Sequence, residues 1–448
     1  QWFRNRFACL SFPTLVESLR NKLIGMNRKN FIGAMGLGAS AILAPGCRKN
    51  LSGSSILPDY NSVDPSSYWA AVRRGYVLDA DRVYLNCGGL GPAPSRVLEA
   101  VELKSKELQS ISETGYSLLD QARIVAAEYL GADSDGICFT RNATESNSII
   151  AAGLKLKKGD EVIFESHAHP GGSFPWLNRQ KRDGIAVKVF DPDSESMEGS
   201  VERILKLITP RTRVIQVSHI TAPTGILFDV KAIAALAREK GIWFHVDGAQ
   251  SAGMIPVNLQ AIGCDSYATS GHKWMGGPRG TGILFIAKDR MDDVECSHLG
   301  GHSELEYELP DGITYQPSAR RHEYGTRNTE LVEGLRVAME LQESIGLERI
   351  EAYGSGLANY LQSKLREIDG TRILTPSDPK MRRSITAFAS SRIPFDTLSN
   401  RLMREYRMRC RQVTERGLNA VRVSTHIFNS KSECDRVVEA VAEITKSV

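Results

Sequence analysis

The chain has 448 residues, of which 42% are hydrophobic and 24% are charged, and its formal net charge at pH 7 is +4. This length exceeds one ordinary hydrophobic core, so we expect a large domain together with a smaller one. The small net charge, without a basic block interleaved with aromatic residues, argues against nucleic acid as a partner. The eight cysteines form no Cys-x-x-Cys pair, which argues against a zinc site and a disulfide framework.

Residues 1–47 have the features of a bacterial export signal. A short basic start at Arg28-Lys29 precedes an apolar run over residues 31–43 and the junction Ala44-Pro45-Gly46-Cys47. Arg28-Lys29 also resembles a twin-arginine signal with lysine in the second place. We expect an exported protein, periplasmic or anchored to the membrane through a lipid on Cys47. The alternative is a cytoplasmic protein whose first residues form a buried or disordered helix.

Residues 48–80 are predicted to form a tether and an N-terminal arm, because they begin with a stretch rich in Ser, Asn, Pro and Asp. From residue 81 onward, short apolar runs alternate with amphipathic helical stretches. The candidate strands cover residues 137–139, 162–164, 187–190, 214–217, 242–246, 266–269 and 282–286. Seven such strands with helices between most of them predict a mostly parallel sheet, covered on both faces, in a large domain over residues 81–325.

Two long helical patterns follow, over residues 331–345 and 347–368, and short strands come after them. They predict a smaller C-terminal α+β domain over residues 326–448. The whole chain is therefore expected to have an α/β fold.

Polar residues come just after five of the predicted strands. They are Asn142, His167, Ser218, Asp247 and Ser270. Because ligands bind at the carboxyl ends of the strands in parallel sheets, we expect these residues to surround a ligand at one sheet edge.

The most informative pair is Lys273, in Ser270-Gly271-His272-Lys273-Trp274, and Asp247, which ends an apolar strand. A lysine amine condenses with the aldehyde of pyridoxal phosphate (PLP), and an aspartate carboxylate keeps the pyridine nitrogen protonated so that the ring accepts electrons. Either residue alone indicates little, because most lysines are solvated and most aspartates are caps or turns. Together they predict a PLP enzyme in which both are catalytic.

Further cofactor contacts are expected around this pair. Asn142-Ala143-Thr144 precedes a helix predicted over residues 146–155, whose N-terminus suits the PLP phosphate, although a simple helix cap is the alternative. Ser270 and His272 are expected to reach the same phosphate. His167 is expected to act in catalysis by lying flat on the pyridine ring, with an ordinary polar loop residue as the alternative. Gln250 is expected to hydrogen-bond the ring phenolate.

At these residues the chain resembles the class V aminotransferase family of fold-type-I PLP enzymes, which includes cysteine desulfurases and isopenicillin N epimerase. The resemblance covers roughly residues 82–445. It rests on Thr140-Arg141-x-x-Thr144-Glu145, Glu165-x-His167-Ala168, Val217-Ser218-His219, Val246-Asp247-Gly248-Ala249-Gln250 and Ser270-Gly271-His272-Lys273.

The resemblance implies roles for further residues. Ser218 would lie at the cofactor pocket, and Asn86 in an N-terminal substrate loop. Thr326 and Arg327 belong to a loop that enters the neighbouring subunit's site in the family, which implies a homodimer. Arg422 resembles the arginine that clamps the substrate α-carboxylate, for which a bidentate guanidinium is suited.

Two departures favour the epimerase branch over the desulfurases. Desulfurases carry a nucleophilic cysteine on a Gly-rich loop, whereas Cys410 here lies in Arg409-Cys410-Arg411-Gln412-Val413 and is predicted to be a strand residue. Residues 221–225 are also more similar to the epimerase branch. We therefore expect an isopenicillin N epimerase-like enzyme that acts at Cα of an amino acid or its derivative, with Lys273 as the base. The alternatives are a C–S or C–C lyase, including a cysteine desulfurase, an aminotransferase, and a non-catalytic binding protein.

Overall fold

A computed structural model of the chain describes residues 57–447, so the predicted export signal and Cys47 lie outside the described residues. Within that range, no helix is both long and apolar enough to cross a membrane. The described part of the N-terminal arm contains a helix, Pro65–Arg74, in which Tyr68, Trp69 and Val72 are buried. Trp69 stacks on Tyr353 with ring centroids 4.0 Å apart, so this end of the arm is packed against the fold.

Strands and helices alternate along most of the described chain. The strands are β1 Val83–Tyr84, β2 Ile137–Thr140, β3 Glu161–Glu165, β4 Ala186–Phe190, β5 Thr212–Ser218, β6 Trp243–Asp247, β7 Ser266–Ser270, β8 Gly282–Ile286, β9 Glu304–Glu308, β10 Gly312–Tyr315, β11 Thr371–Ile373, β12 Ile385–Ser390, β13 Met408–Arg409, β14 Arg411–Val413 and β15 Ala420–Ser424. The helices are α1 Pro65–Arg74, α2 Ser95–Ile111, α3 Ser117–Leu130, α4 Ala143–Gly153, α5 Pro170–Asp183, α6 Met197–Leu207, α7 Val230–Glu239, α8 Leu259–Ile262, α9 Thr329–Ile345, α10 Leu347–Arg366, α11 Phe395–Arg404 and α12 Lys431–Lys446.

Seven strands form the main sheet, in the order β2-β8-β7-β6-β5-β3-β4. Only β8 runs antiparallel to the others. Every residue of β2, β3, β6, β7 and β8 is buried, because helices cover both faces. That burial explains why most of these strands form continuous apolar runs in the sequence. The predicted seven-stranded, mostly parallel sheet is confirmed.

A four-stranded antiparallel sheet, in the order β11-β12-β15-β14, forms the smaller part of the fold. Helices α10, α11 and α12 pack around it. Leu361, Phe388, Val421 and Val437 belong to its apolar core. The predicted smaller α+β domain is therefore present. Its boundary at residues 325 and 326 stays a prediction, because α9 follows that boundary yet packs against α2 and α3.

The helix after β2 begins earlier than the sequence pattern indicated. The sequence pattern predicts a start at residue 146, whereas α4 starts at Ala143, because the Asn142 side chain caps the helix by accepting a hydrogen bond from the Glu145 N–H, 2.9 Å away. This earlier start brings the helix N-terminus to the carboxyl edge of the main sheet, which matters for the site.

Candidate active site

A cavity of about 260 Å³ lies at the carboxyl edge of the main sheet, and residues of the smaller sheet close its other side. Nine predicted site residues line it, namely Asn142, Ala143, Thr144, Asp247, Gln250, Ser270, His272, Lys273 and Arg422. Five others do not, namely Asn86, His167, Ser218, Thr326 and Arg327. Larger cavities lie elsewhere on the described surface, but none of the predicted residues lines them.

Lys273 follows β7 and faces the cavity. Its loop is fixed by a close backbone contact, since a Cβ added at Gly91 would lie 1.9 Å from the Lys273 carbonyl oxygen. Removal from solvent lowers the pKa of Lys273 to about 8, although the nearby Asp247 carboxylate opposes the shift. A larger fraction of the amine is therefore neutral near pH 7 than for an exposed lysine, which makes the amine a better nucleophile and base.

Asp247 ends β6, and both of its carboxylate oxygens accept hydrogen bonds. Oδ1 accepts from the Ala249 N–H at 3.0 Å, and Oδ2 accepts from Asn147 Nδ2 at 3.0 Å. Asn147 lies on α4 and also lines the cavity, although its sequence position gave no signal of this. The start of α5 comes close as well, because a Cβ added at Gly172 would lie 3.1 Å from Asp247 Oδ2.

The N-terminus of α4 supplies backbone donors beside this carboxylate. Ser270 Oγ accepts a hydrogen bond from the Ala143 N–H at 3.1 Å, so the end of β7 is joined to the start of α4. His272 Nδ1 lies 3.3 Å from the Thr281 carbonyl oxygen, and burial lowers its pKa. We call Asn142, Asp247 and Ser270, with their hydrogen-bond partners, the cofactor end of the cavity.

The structure places His169, not the expected His167, at the cavity. His167 lies in the turn after β3, where Thr224 Oγ1 is 3.0 Å from its Nδ1 and holds the ring away from the cavity. Two residues later, His169 caps α5, and its Nδ1 accepts a hydrogen bond from the Gly171 N–H at 3.0 Å. Burial and the neighbouring Lys273 lower the pKa of His169. His169 therefore lines the cavity where His167 was predicted to lie, and ring stacking on a cofactor by either histidine stays a prediction.

Two other predicted cofactor contacts, Gln250 and Ser218, differ from expectation: the Gln250 amide already has protein partners, and Ser218 does not line the cavity. Gln250 lines the cavity, but its amide nitrogen donates to the Gly88 carbonyl oxygen at 2.8 Å and its oxygen accepts from Trp274 Nε1 at 2.8 Å. The amide is therefore used to hold the Gly88 loop. Ser218 is buried beside Asp247 in the sheet register rather than at the cavity wall.

Thr326 and Arg327 lie in a loop away from this chain's cavity. Thr326 is exposed, and Arg327 donates to the Phe139 carbonyl oxygen at 2.5 Å. Their predicted contribution to a partner's site stays a prediction.

Arg422 lies on β15 at the opposite side of the cavity and is only 1% exposed. It donates to the Ala222 carbonyl oxygen at 2.8 Å and to Asn86 Oδ1 at 2.9 Å. Asn86 thus orients the arginine rather than lining the cavity. Burial, and then the charge of Arg411, lower the pKa of Arg422 to about 9, so the guanidinium is still charged at pH 7.

Arg411 is a second arginine at the cavity that the sequence gave no reason to select. It stands directly opposite Arg422 in the β14–β15 register and forms an ion pair with Glu415. Only the pairing of two strands reveals this proximity. We call Arg411 and Arg422 the substrate end of the cavity.

The two cysteines nearest the site are buried and do not line the cavity. Cys410 lies between β13 and β14 rather than within a strand, so the prediction of a strand residue is wrong, but its side chain is in the apolar core of the smaller sheet, and burial raises its pKa to about 12. Cys87 contacts the Lys273 carbonyl oxygen through its sulfur at 3.7 Å, and burial raises its pKa as well. Neither thiol is presented as a thiolate toward Lys273.

The residues present fit PLP. A buried lysine amine, a strand-end carboxylate and a helix N-terminus meet in one cavity, which the backbones of Gly88, Gly89 and Gly171 also line. Within residues 57–447, no group of three or more His, Cys, Asp or Glu residues is arranged to hold a metal ion.

A family model described as aminotransferase class-V matches residues 84–437. The chain belongs to this family. A "Probable cysteine desulfurase" from Methanothermobacter thermautotrophicus is 34% identical over 328 residues, which cover 71% of this chain and 80% of that protein. An isopenicillin N epimerase from Amycolatopsis lactamdurans is 29% identical over 405 residues, which cover 84% of this chain and 99% of that protein.

Among solved structures, the apo cysteine desulfurase from Thermococcus onnurineus NA1 is similar, with a TM-score of 0.78 at 25% identity over 85% of this chain and 98% of that chain. The predicted fold-type-I architecture and the predicted PLP-dependent enzyme class are confirmed. Both branches of the class V aminotransferase family occur among the relatives, so the type of reaction must be argued from the site.

Proposed function

We propose that the protein moves a proton at Cα of an amino acid or amino acid derivative without a catalytic thiol, as an isopenicillin N epimerase-like enzyme. The observation that carries this proposal is the composition of the cavity. It presents Lys273 and Arg422, whereas Cys410 lies in the core of the smaller sheet. PLP, when bound, supplies an electron sink that makes the Cα proton acidic.

Lys273 is the residue best placed to hold the cofactor and then to move the Cα proton. Its lowered pKa, about 8, leaves an amine that accepts and returns a proton near neutral pH. Asp247 presents its carboxylate to the cavity, with both oxygens already fixed by hydrogen bonds, and would hold the ring nitrogen of the cofactor. These two residues would begin the reaction of any branch of the family.

Arg422 is positioned to bind the α-carboxylate of the substrate. Its Nε is buried and has no hydrogen-bond partner in the described part of the chain. An unpaired buried donor is costly, and a carboxylate in the cavity would satisfy it. A carboxylate held there would direct Cα toward Lys273. The cavity volume of about 260 Å³ has to contain the cofactor as well, so it would enclose only the amino acid head of a large substrate.

Strand geometry argues against thiol chemistry. Arg411 and Cys410 are consecutive residues, and successive side chains of an extended chain point to opposite sides. Because Arg411 faces the cavity, Cys410 faces the core. Persulfide formation on Cys410 would require this region to rearrange. A lyase or aminotransferase would share every residue named so far, so reaction products must separate these alternatives.

The test is incubation of the PLP-loaded protein with single D- and L-amino acids in deuterated water, with and without a keto acid. We expect deuterium at Cα and partial inversion of configuration, and we expect both to be lost in Lys273→Ala. Sulfide release from cysteine as the main reaction, abolished by Cys410→Ser, would show a desulfurase instead. Keto acid formation that depends on an added keto acid would show an aminotransferase.

We also propose export with anchoring through Cys47, supported by the basic start, the apolar run and the Ala44-Pro45-Gly46-Cys47 junction. One acyl chain gives marginal membrane binding, whereas a doubly or triply acylated cysteine holds firmly. Cys47→Ala should move the protein from the membrane fraction to the soluble fraction. Wild-type protein that is wholly cytoplasmic and keeps residues 26–46 would refute this.

A homodimer is proposed from the loop that contains Thr326 and Arg327. Thr326 is exposed in one chain, as a residue that reaches a second copy would be. Sedimentation analysis should therefore give twice the mass of one chain.

A further inference from the structure

A row of hydrogen bonds runs through the protein interior behind Asp247. Asn147 Nδ2 donates to Asp247 Oδ2 at 3.0 Å, and Asn147 Oδ1 lies 2.8 Å from His245 Nε2. His245 Nδ1 lies 2.8 Å from Ser266 Oγ, which accepts from Trp243 Nε1 at 3.0 Å. We call Asn147, His245, Ser266 and Trp243 the buried relay. All four are at most 4% exposed.

The donors and acceptors leave only one direction for these bonds. The Asn147 amide nitrogen also donates to the Gly171 carbonyl oxygen at 3.2 Å, so its oxygen must accept from His245. His245 therefore carries its proton on Nε2. The Trp243 indole is only a donor, so the Ser266 hydroxyl accepts from it and donates its own hydrogen to His245 Nδ1. The hydrogen bonds that join Trp243, Ser266, His245, Asn147 and Asp247 in turn therefore all point toward Asp247.

The fold explains how the buried relay is assembled. Trp243, His245 and Asp247 are alternate residues of β6 and share one face of the sheet. Ser266 lies on β7 as the register partner of His245. Asn147 comes from α4, which packs over this face. The position at His245 is central in a sheet covered on both sides, where an apolar residue is usual, so the imidazole needs a reason to be there.

We propose that Asn147 and His245 are positioning residues that fix the orientation of the Asp247 carboxylate for the cofactor ring. A row of aligned donors strengthens the last hydrogen bond, because each bond polarises the next. That bond holds Oδ2, while Oδ1 is held by the Ala249 N–H. The carboxylate is therefore fixed before any ligand arrives. Burial lowers the pKa of His245 to about 4, which keeps the imidazole neutral in the tautomer that the buried relay requires.

This inference rests on the proposed function, because the cofactor gives Asp247 its role. The test therefore begins with a measurement that needs no cofactor. In apo protein labelled with ¹⁵N-histidine, nuclear magnetic resonance should show His245 protonated on Nε2 only. A proton on Nδ1, or a mixture of the two tautomers, would overturn the assigned direction whether or not the protein binds PLP.

The second measurement is PLP affinity in matched variants. His245→Leu removes both hydrogen bonds of the imidazole, whereas His245→Gln keeps one donor and one acceptor on a side chain of similar reach. His322→Leu is the control, because His322 is also buried, at 5% exposure, but lies outside the buried relay. We expect His245→Leu to weaken PLP binding roughly 10- to 100-fold relative to His322→Leu, and His245→Gln to stay within about 3-fold of wild type.

Thermal unfolding of the apo variants separates positioning from folding. If both leucine variants lose similar stability but only His245→Leu loses PLP affinity, the buried relay acts on Asp247. Equal PLP affinities of the two leucine variants would overturn the proposal, and so would a glutamine variant as weak as the leucine one. Should His245→Leu fail to fold, Asn147→Ala takes its place, with the same loss expected. Wild-type protein that binds no PLP would refute the proposed function instead.

Discussion

The two ends of the cavity differ in how their polar atoms are satisfied. At the cofactor end, both oxygens of Asp247 accept hydrogen bonds, and Asn142 and Ser270 each accept one from the start of α4. At the substrate end, Arg422 Nε and Arg411 Nη1 are buried without a partner among the described residues. The cavity therefore has a complete hydrogen-bond network at its cofactor end and an incomplete one at its substrate end.

This difference indicates what each end does. The cofactor end is built like a protein core, with its groups fixed in advance, as suits a cofactor that stays bound. The substrate end keeps buried donors unpaired, and each costs roughly 1–3 kcal/mol in the free enzyme. In the proposed function, an arriving substrate carboxylate would remove that cost, so binding energy would be concentrated where substrates exchange. Four changes would break or sharpen this contrast.

The largest effect is expected at the substrate end. Arg422→Ala removes a charge-assisted carboxylate contact on the order of 1.5–4 kcal/mol, which should raise KM roughly 10- to 1,000-fold and change kcat less. Arg422→Lys keeps the charge but loses the planar guanidinium, so its KM should lie between those of wild type and Arg422→Ala. Steady-state kinetics with a substrate found in the exchange assay would measure both. An unchanged KM in Arg422→Ala would show that the α-carboxylate binds elsewhere.

Glu165 lies outside the cavity but close enough to Asp247 to feel its charge, and replacement of Glu165 should stabilise the protein. Its Oε2 has no partner in the described chain, and burial raises its pKa from 4.5 to about 7, with the Asp247 charge adding to the shift. The folded state thus favours the protonated carboxyl, so its contribution to stability is greatest below pH 4.5 and is lost as the pH rises to about 7. Glu165→Gln cannot ionise, so at pH 8 its free energy of unfolding should exceed that of wild type by up to about 3 kcal/mol.

Denaturant unfolding at two pH values is the check on Glu165→Gln. The difference in free energy of unfolding between Glu165→Gln and wild type should be large at pH 8 and should nearly vanish at pH 4.5. A glutamine variant that is less stable than wild type at both values would mean that the carboxylate has a partner and is not a strained group.

Replacement of the two histidines after β3, His167 and His169, should have modestly different effects on PLP affinity. His169→Ala removes a ring at the cavity, where stacking contributes about 0.5–1.5 kcal/mol, and should weaken PLP binding about 2- to 12-fold. His167→Ala is the matched control two residues away, and should leave PLP affinity within about 2-fold of wild type. Titration of apo protein with PLP would measure both affinities. If His167→Ala weakens PLP binding more than His169→Ala does, His167 is the ring-stacking residue, as the sequence predicted.

The smallest effect is expected for Cys410→Ser. The thiol is buried in the smaller sheet and does not reach the cavity, so turnover should be nearly unchanged. A modest loss of stability is expected from placing a hydroxyl in that core. A variant that folds normally but has lost all activity would contradict the absence of thiol chemistry.

Local patterns in the sequence predicted the sheet and the central pair of residues. Lys273 and Asp247 each follow an apolar strand, and parallel strands bring their carboxyl ends to one edge, so their meeting could be expected. The choice between His167 and His169 could not, because it depends on which residue caps α5 and on Thr224 from a distant turn.

The roles of Arg411, Asn147 and His245 could not be predicted from the sequence, because they depend on contacts between distant parts of the chain. Arg411 reaches the site only through the pairing of β14 with β15. Asn147 looks like an interior helix residue, and His245 like part of an apolar strand. The Asn147 side chain forms hydrogen bonds with His245 and with Asp247, which lie 98 and 100 positions further along the chain. Such pairings leave no mark on spacing or periodicity within either segment.

The central claim, that Lys273 carries PLP, can be tested by borohydride reduction of the loaded protein followed by peptide mass mapping. We expect a yellow protein with a visible absorption band, and after reduction a single pyridoxyl-phosphate adduct on Lys273. Lys273→Ala should lack both the band and the adduct. A wild-type protein that gains no band on addition of PLP, or an adduct on a different lysine, would contradict the account.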